Sequence, residues 1–182
     1  MTRDSNRVGK LLVAHPNLPG NDWFHKTVVY IYSDSPEQGT LGLTLNVRTN
    51  VTVKRLFNDK GIIYPSEYPS VYKGGPVTEQ SIIMLHTPEW ASTNTIPAGS
   101  SYSISSDTLM FQKLSLGDQP AYWRMFLGLA AWAPNQLDRE LSSSFGWLMC
   151  EANDDILFNY DTDDQWDAAL ELCGQQMIHS FF

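Results

Sequence analysis

The segment between Met125 and Glu140 constrains the fold more than any other part of the chain, because its apolar run leads directly into a helix. Residues Met125–Trp132 carry no charge, which is typical of a strand buried on both faces. Pro134 ends this strand. Asn135 can cap the helix that follows, and Asp138, three residues later, suits the acidic position of a capping box. The sequence therefore predicts a strand-to-helix junction, and such junctions often present functional side chains.

Apolar runs between turn residues predict further strands, at Leu11–Ala14, Thr27–Tyr32, Thr40–Leu45, around Tyr72, Ser81–His86 and Ile156–Phe158. Three more helices are predicted. The first is short and runs from the Thr52 cap through Phe57, and the second covers Asp107–Leu114 and is capped by Ser105 or Ser106. The last helix ends at Gly174 and has an apolar face formed by Trp166, Ala169, Leu170 and Cys173. Strands in succession with three or four interspersed helices indicate an α+β fold. We expect a single compact domain over residues 1–182, with an antiparallel sheet or barrel-like core.

The composition favours a cytoplasmic protein. No apolar run approaches the roughly 18 residues of a membrane span, and the N-terminal MTRDSNRVGK lacks the apolar region of a signal peptide. Neither Cys150 nor Cys173 belongs to a CxxC pair, so both are expected to be small buried residues in a reducing compartment.

Charge is distributed unevenly along the chain, whose net charge is -8. After Arg139 there are nine acidic residues and no Lys or Arg. Because affinity for DNA comes largely from basic side chains that displace counterions, this acidic part of the chain argues against wrapping by nucleic acid. A solvated acidic face is the simpler interpretation, and a basic partner is the alternative.

Several motifs resemble those of one bacterial family. The sequence GLAAWAPNQLDRE resembles the GYAGWGPGQLE signature of the AlgH/YqgE family, and LLVAHPNLPGNDWFHKTVVYIY is similar to its opening LLIAMP, DP-x-F and SVIYL pattern. The segments GTLGLTLN, YKGGPV, IIMLH with Trp90, ISSDTL, GWL and ILFNYDTDDQWDAAL follow in the family's order, so the resemblance covers about residues 9–174. It implies a compact α+β fold with antiparallel sheets. It also brings a transcriptional-regulator label that derives from the genetics of alginate production, without a DNA-binding motif.

The chain departs from the family pattern at five positions. His15 stands where Met is usual, Lys26 where Arg is usual, Ala131 and Asn135 where Gly is usual, and Gly146 where Asn is usual. A role that the family assigns to any of these positions does not carry over to this chain on the resemblance alone.

No recognised catalytic or nucleotide motif is present. Gly74 and Gly75 could let a ligand approach the backbone, but with Pro76 they match neither a Walker loop nor a dinucleotide loop, so a tight turn is the favoured interpretation. His86 is followed by Ser92 and Asp107, yet the chain has no GxSxG elbow, and the spacing does not support nucleophilic catalysis.

Metal binding is not indicated either. Asp161, Asp163 and Asp164 are potential ligands of a hard cation, but their segment lacks the glycine and glutamate of an EF-hand, so helix capping explains them better. The four histidines lack the spacing of a zinc site. The sequence implies no metal and no cofactor.

The leading functional hypothesis is a regulatory or interaction protein that binds another protein or a small ligand. Its candidate surface consists of residues at strand ends and turns within the family-like segments: Asn46, Gly74, Gly75, His86, Trp132 and Gln136. The alternative is a hydrolase or transferase whose pocket lies near Asn46, Gly75, His86 and Gln136. A third hypothesis is direct nucleic-acid binding, through Lys10, Lys26, Arg48, Lys54, Arg55 and Lys73.

Overall fold

Ten strands and five helices make up the regular structure of the residues that the computed structural model describes, 6–144 and 146–182. The strands are β1 (Lys10–Ala14), β2 (Val28–Ser35), β3 (Gly39–Thr44), β4 (Arg48–Thr52), β5 (Ser70–Lys73), β6 (Val77–His86), β7 (Ile96–Pro97), β8 (Ser103–Ser105), β9 (Trp123–Trp132) and β10 (Trp147–Glu151). The helices are α1 (Val53–Asp59), α2 (Thr108–Ser115), α3 (Gln136–Ser142), α4 (Asp154–Phe158) and α5 (Thr162–His179).

The strands form one curled sheet in the order β10-β1-β2-β3-β9-β6-β8-β7, and the β4–β5 pair joins it where β5 lies beside β9. Every pairing within the described ranges is antiparallel except that of β5 with β9. The predicted α+β fold with an antiparallel, barrel-like sheet is confirmed. These ranges contain five helices instead of the predicted three or four.

Strand β9 has a central role in the sheet because it pairs with three other strands. One edge pairs with β6, and the other pairs first with β5 and then with β3. The change of partner occurs around Gly128, whose φ of 75° is a left-handed conformation that glycine adopts without strain. The predicted strand Met125–Trp132 is therefore confirmed, and it has more partner strands than any other described strand.

Successive side chains of β9 enter two different hydrophobic cores, as the alternation of a strand requires. Phe126 enters the larger core, where β1, β2 and β3 pack against α4 and α5. Met125 enters the smaller core, which α1 and α2 cover. Cys150 and Cys173 are both buried in the larger core, as the sequence predicts.

Most of the predicted elements are confirmed, but Ile156–Phe158 lies in helix α4 and not in a strand. The Asn153 side chain accepts the backbone N–H of Ile156 at 2.9 Å and so caps this helix. A short apolar run does not by itself distinguish a strand from a buried helix, and here the cap decides. Strands β4, β7, β8 and β10 are additional elements that the sequence reading did not assign.

Two helix ends also differ from the prediction. Asp107 caps α2, because its carboxylate accepts the N–H of Met110 at 2.9 Å, so neither Ser105 nor Ser106 is the cap. Helix α5 continues through Gly174 to His179. A glycine inside a helix costs about 1 kcal/mol relative to alanine, which the packing of the buried face outweighs. No helix in the described part of the chain has the length and apolar character to cross a membrane.

Asn135 precedes α3 as predicted, but its side chain does not cap the helix. Its φ is 68° and its side chain makes no capping hydrogen bond. The adjacent Gln136 satisfies a backbone donor instead, because its Oε1 accepts the N–H of Ala133 at 3.0 Å. Asparagine therefore serves here by tolerating a left-handed conformation, which glycine also adopts without strain.

We predict that Asn135→Ser lowers the free energy of unfolding by about 1 kcal/mol, because serine caps helices well but adopts a left-handed conformation less readily. Asn135→Gly is the matched control and should be as stable as the wild type or slightly more stable. Urea denaturation of the three proteins measures the difference. A serine variant with wild-type stability would restore the capping explanation.

Candidate binding site

The junction of β9 and α3 holds a carboxylate in place. Gln136 and Glu140 lie one turn apart on the same face of α3, and Gln136 Nε2 donates to Glu140 Oε1 at 3.0 Å. Trp132, the last residue of β9, donates its indole N–H to Glu140 Oε2 at 2.9 Å. The sequence places these three residues near one junction, and the structure joins them by hydrogen bonds.

A second tryptophan completes the set of donors. Trp147, the first residue of β10, also donates its indole N–H to Glu140 Oε2, at 2.9 Å. Trp132 and Trp147 are only 3% and 7% exposed, so each indole N–H needs a protein acceptor. The ion pairs of the described residues do not include Glu140, and all three of its donors are neutral.

Aromatic rings form one wall beside this carboxylate. Phe24 stacks on Trp132 with ring centroids 5.7 Å apart, and it meets Trp147 edge-on at 5.2 Å. Trp23 packs edge-on against Phe24 at 4.8 Å. Asp22 holds the turn that carries both residues, because its Oδ1 accepts the N–H of Phe24 at 2.8 Å.

These groups line a surface cleft of about 540 Å³, a volume typical of ligand sites. We call it the aromatic cleft, and its lining residues are Leu18, Asp22, Trp23, Phe24, Glu140, Ser143, Gly146 and Trp147. Trp23 is 36% exposed and Asp22 is exposed, so the wall and the rim are accessible to a ligand. The cleft combines an apolar wall with two carboxylates.

The structure does not bring the six predicted surface residues together. Trp132 and Gln136 lie beneath the aromatic cleft, where both bind Glu140. His86 pairs with Trp123 at the opposite end of β9, about 30 Å away along the strand. The predicted hydrolase or transferase pocket needs His86 and Gln136 in one place, and this arrangement separates them.

The remaining three predicted residues serve the packing of the backbone. Asn46 is buried, and its amide bonds the N–H of Val28 and the carbonyls of Lys26 and Thr162 at 2.8–3.0 Å. A Cβ on Gly74 would lie 2.2 Å from the carbonyl oxygen of Gly128, and one on Gly75 would lie 2.1 Å from the backbone of Leu129. The two glycines therefore allow the chain to pass close to β9, with no need for a ligand to explain them.

His86 is fully buried in a polar network of its own. Its Nδ1 donates to the carbonyl of Thr87 at 2.8 Å, so its Nε2 accepts from the hydroxyl of Ser105 at 2.8 Å. Ser105 is 1% exposed, so this serine and histidine lack the access that a substrate would require. Ser92 and Asp107 bond each other rather than His86, at 2.5 Å.

Asp161, directly before α5, is also used differently from the prediction, whereas Asp163 and Asp164 lie in the first turn of α5, where their charge suits the helix dipole as predicted. Asp161 occupies the N-cap position, but its side chain makes no capping bond. Its Oδ2 accepts from the hydroxyl of Tyr72 at 3.1 Å and faces Arg48 Nη1 at 3.4 Å. Through this hydrogen bond and this ion pair, Asp161 holds the start of α5 against the sheet. Among the described residues, no group of three His, Cys, Asp or Glu side chains is placed to hold a metal ion.

Trp23, Phe24 and Trp147 are cleft residues that the sequence reading did not select. The available signals were the adjacent aromatic pair within the turn-rich PNLPGNDWFHK and the spacing of four residues from Gln136 to Glu140. The long-range contact of Trp147 with Glu140 has no local sequence signal.

Comparison with known proteins identifies the family of this chain. The sequence profile of the AlgH-like family matches residues 11–178. The chain therefore belongs to the AlgH-like family. A UPF0301 protein of Rhizobium rhizogenes is 31% identical over 176 residues, which cover 91% of this chain and 86% of the relative. A UPF0301 protein of Paraburkholderia phytofirmans is 33% identical over 184 residues, which cover 96% of this chain and 93% of the relative.

Solved structures agree with this assignment. The solution structure of the AlgH protein from Pseudomonas aeruginosa is similar with a TM-score of 0.78 and 26% identity, over 96% of this chain and 92% of that protein. A crystal structure of a Corynebacterium diphtheriae protein has the same fold, with a TM-score of 0.70 and 24% identity over 93% of this chain and 88% of that protein. The AlgH-like fold is thus shared along nearly the whole chain.

We predict that Glu140→Ala lowers the free energy of unfolding by about 3 kcal/mol, because two buried indole donors lose their acceptor. Glu171→Ala removes the same charge from an exposed position on α5 and should change stability by less than about 0.5 kcal/mol. Urea denaturation followed by far-UV circular dichroism compares the two. Equal stability of the two variants would show that the cleft does not depend on the Glu140 carboxylate.

His86 should make stability depend on pH. Burial lowers the pKa of His86, and the Thr87 carbonyl and Glu89 oppose this shift only in part. Between the folded pKa and the ordinary value near 6.5, the unfolded state binds more protons, so stability falls as the pH decreases below about 6.5. The contribution of one histidine has a slope of at most about 1.4 kcal/mol per pH unit. Urea melts of the wild type and His86→Gln between pH 5 and 7.5 measure it; the same slope in both proteins would contradict the assignment to His86.

Proposed function

We propose that this AlgH-like protein acts in the cytoplasm as a binding protein with a regulatory role, and that the aromatic cleft is its binding site. The observation that carries the proposal is the Glu140 carboxylate, held by two indoles and an amide beside an accessible aromatic wall. Such rigid positioning is what a recognition site requires, because its groups are ordered before the ligand arrives.

The lining of the cleft supports binding rather than catalysis. Its described residues include one hydroxyl group, that of Ser143, and no His, Cys or Lys that could serve as its base or as another nucleophile. The buried His86 and Ser105 lie at the far end of β9. Neither place presents a nucleophile and a histidine base together to a substrate.

Ion pairing counts against the nucleic-acid hypothesis. Each of the six basic residues proposed for that role lies within 4.0 Å of a carboxylate; the pairs are Lys10–Glu151, Lys26–Asp163, Arg48–Asp161, Lys54–Glu67, Arg55–Asp59 and Lys73–Glu79. A phosphate backbone would have to compete with these carboxylates for every contact. Nucleic acid is therefore disfavoured, and the exposed Trp23 on the cleft wall favours a protein partner over a small ligand.

We predict that removing Trp23 from the aromatic wall strongly reduces partner capture. Immobilised wild type, Trp23→Ala and the control Ile63→Ala, a substitution of an 83% exposed residue outside the cleft, are incubated with cell extract. Bound material is analysed by mass spectrometry. The wild type and the control should retain the same protein, and Trp23→Ala should lose most of it because an exposed aromatic anchor is removed. Equal capture by all three would refute the cleft as the site, and nucleic acid as the retained ligand would refute a protein partner.

A further inference from the structure

We infer that the aromatic cleft recognises a basic side chain, arginine or lysine, on a segment of its protein partner. This inference rests on the proposed function and names the chemistry of the ligand. It comes from the charge of the cleft, the arrangement of its rings and the absence of a matching cation among the described groups that line it.

The cleft carries two carboxylates whose charge is not balanced by an ion pair. Glu140 accepts hydrogen bonds from three neutral donors, and Asp22 accepts one from the neutral N–H of Phe24. Within residues 6–144 and 146–182, neither of them takes part in a salt bridge. A partner that covers the cleft removes water from these charges, which is costly unless it brings a cation of its own.

The aromatic wall favours a cation with an apolar stem. Ring faces attract ammonium and guanidinium groups, and tryptophan does so most strongly. The structure already contains one such contact, because Lys73 Nζ lies 5.8 Å from the centroid of the Trp23 ring while it binds Glu79 at 3.0 Å. The aliphatic stem of a lysine or arginine can pack against Leu18 and Phe24 while its charged end approaches a carboxylate.

The same features argue against an inorganic cation. Calcium requires six to eight oxygen ligands, and the described lining offers two carboxylates, three of whose four oxygens already accept hydrogen bonds. A volume of about 540 Å³ exceeds what one side chain fills, which leaves room for the residues that flank it. A protein segment with a basic anchor satisfies the charge, the apolar wall and the volume together.

Matched peptides test the inference directly. The probes are acetyl-Ala-Leu-Arg-Leu-Ala-amide and the same peptide with citrulline, a neutral analogue of arginine with nearly the same shape. The indole N–H signals of Trp132 and Trp147 report on the site in ¹H–¹⁵N spectra, because both groups donate to Glu140. We expect the arginine peptide to bind about tenfold more tightly than the citrulline peptide, because its contact with the carboxylate is charge-assisted. The affinity for the arginine peptide should decrease as salt is added.

Asp22→Asn provides the matched variant, since the amide oxygen can still accept the N–H of Phe24. It should reduce the affinity for the arginine peptide about fivefold and leave the citrulline peptide unchanged, whereas Asp167→Asn on the exposed face of α5 should alter neither. Equal affinities for the two peptides would overturn the cation preference, and so would the lack of a response to either peptide. The capture experiment uses no peptide, so it decides the proposed function independently.

Discussion

The structure depends on the way in which β9 shares its backbone hydrogen bonds among three strands. Its early residues lie between β5 and β6, and its last residues pair with β3. This arrangement joins the two hydrophobic cores through one strand, so Met125 and Phe126 are neighbours in sequence but belong to different cores. It also fixes where β9 ends, and therefore where α3 begins and where Glu140 is presented.

Close backbone contacts make this arrangement possible and restrict what the chain can contain there. Gly74 donates its N–H to the carbonyl of Leu127 and accepts the N–H of Thr44, so it connects β9 to β3 at the point where β5 ends. A Cβ at Gly74 would meet the carbonyl of Gly128. A glycine pair that looks like a loop for a ligand is thus a consequence of three strands meeting, and the residues of the proposed binding site lie farther along, at the end of β9.

The sequence predicts features that arise from local patterns, but it does not predict side-chain roles that depend on contacts between residues far apart in the chain. The charge-free run of Met125–Trp132 identifies the central strand, and Thr52 identifies a helix start, because both effects act over a few residues. Asn135 and Asp161 stand at helix starts as predicted, but neither side chain caps its helix. Asn135 supplies a left-handed backbone conformation, and Asp161 accepts a hydrogen bond from the hydroxyl of Tyr72. Grouping His86 with Gln136 fails for the same reason, because a strand separates them in space.

Trp166 shows that a buried indole of this chain does not require a carboxylate as its acceptor. The indole of Trp166 is buried like those of Trp132 and Trp147, and it is satisfied by the carbonyl of Ala14 at 2.9 Å. A neutral acceptor is thus sufficient for a buried indole in this protein. Two indoles that share a carboxylate instead hold a negative charge beside an aromatic wall. This carboxylate lines an accessible cleft, where a cation brought by a ligand can pair with it.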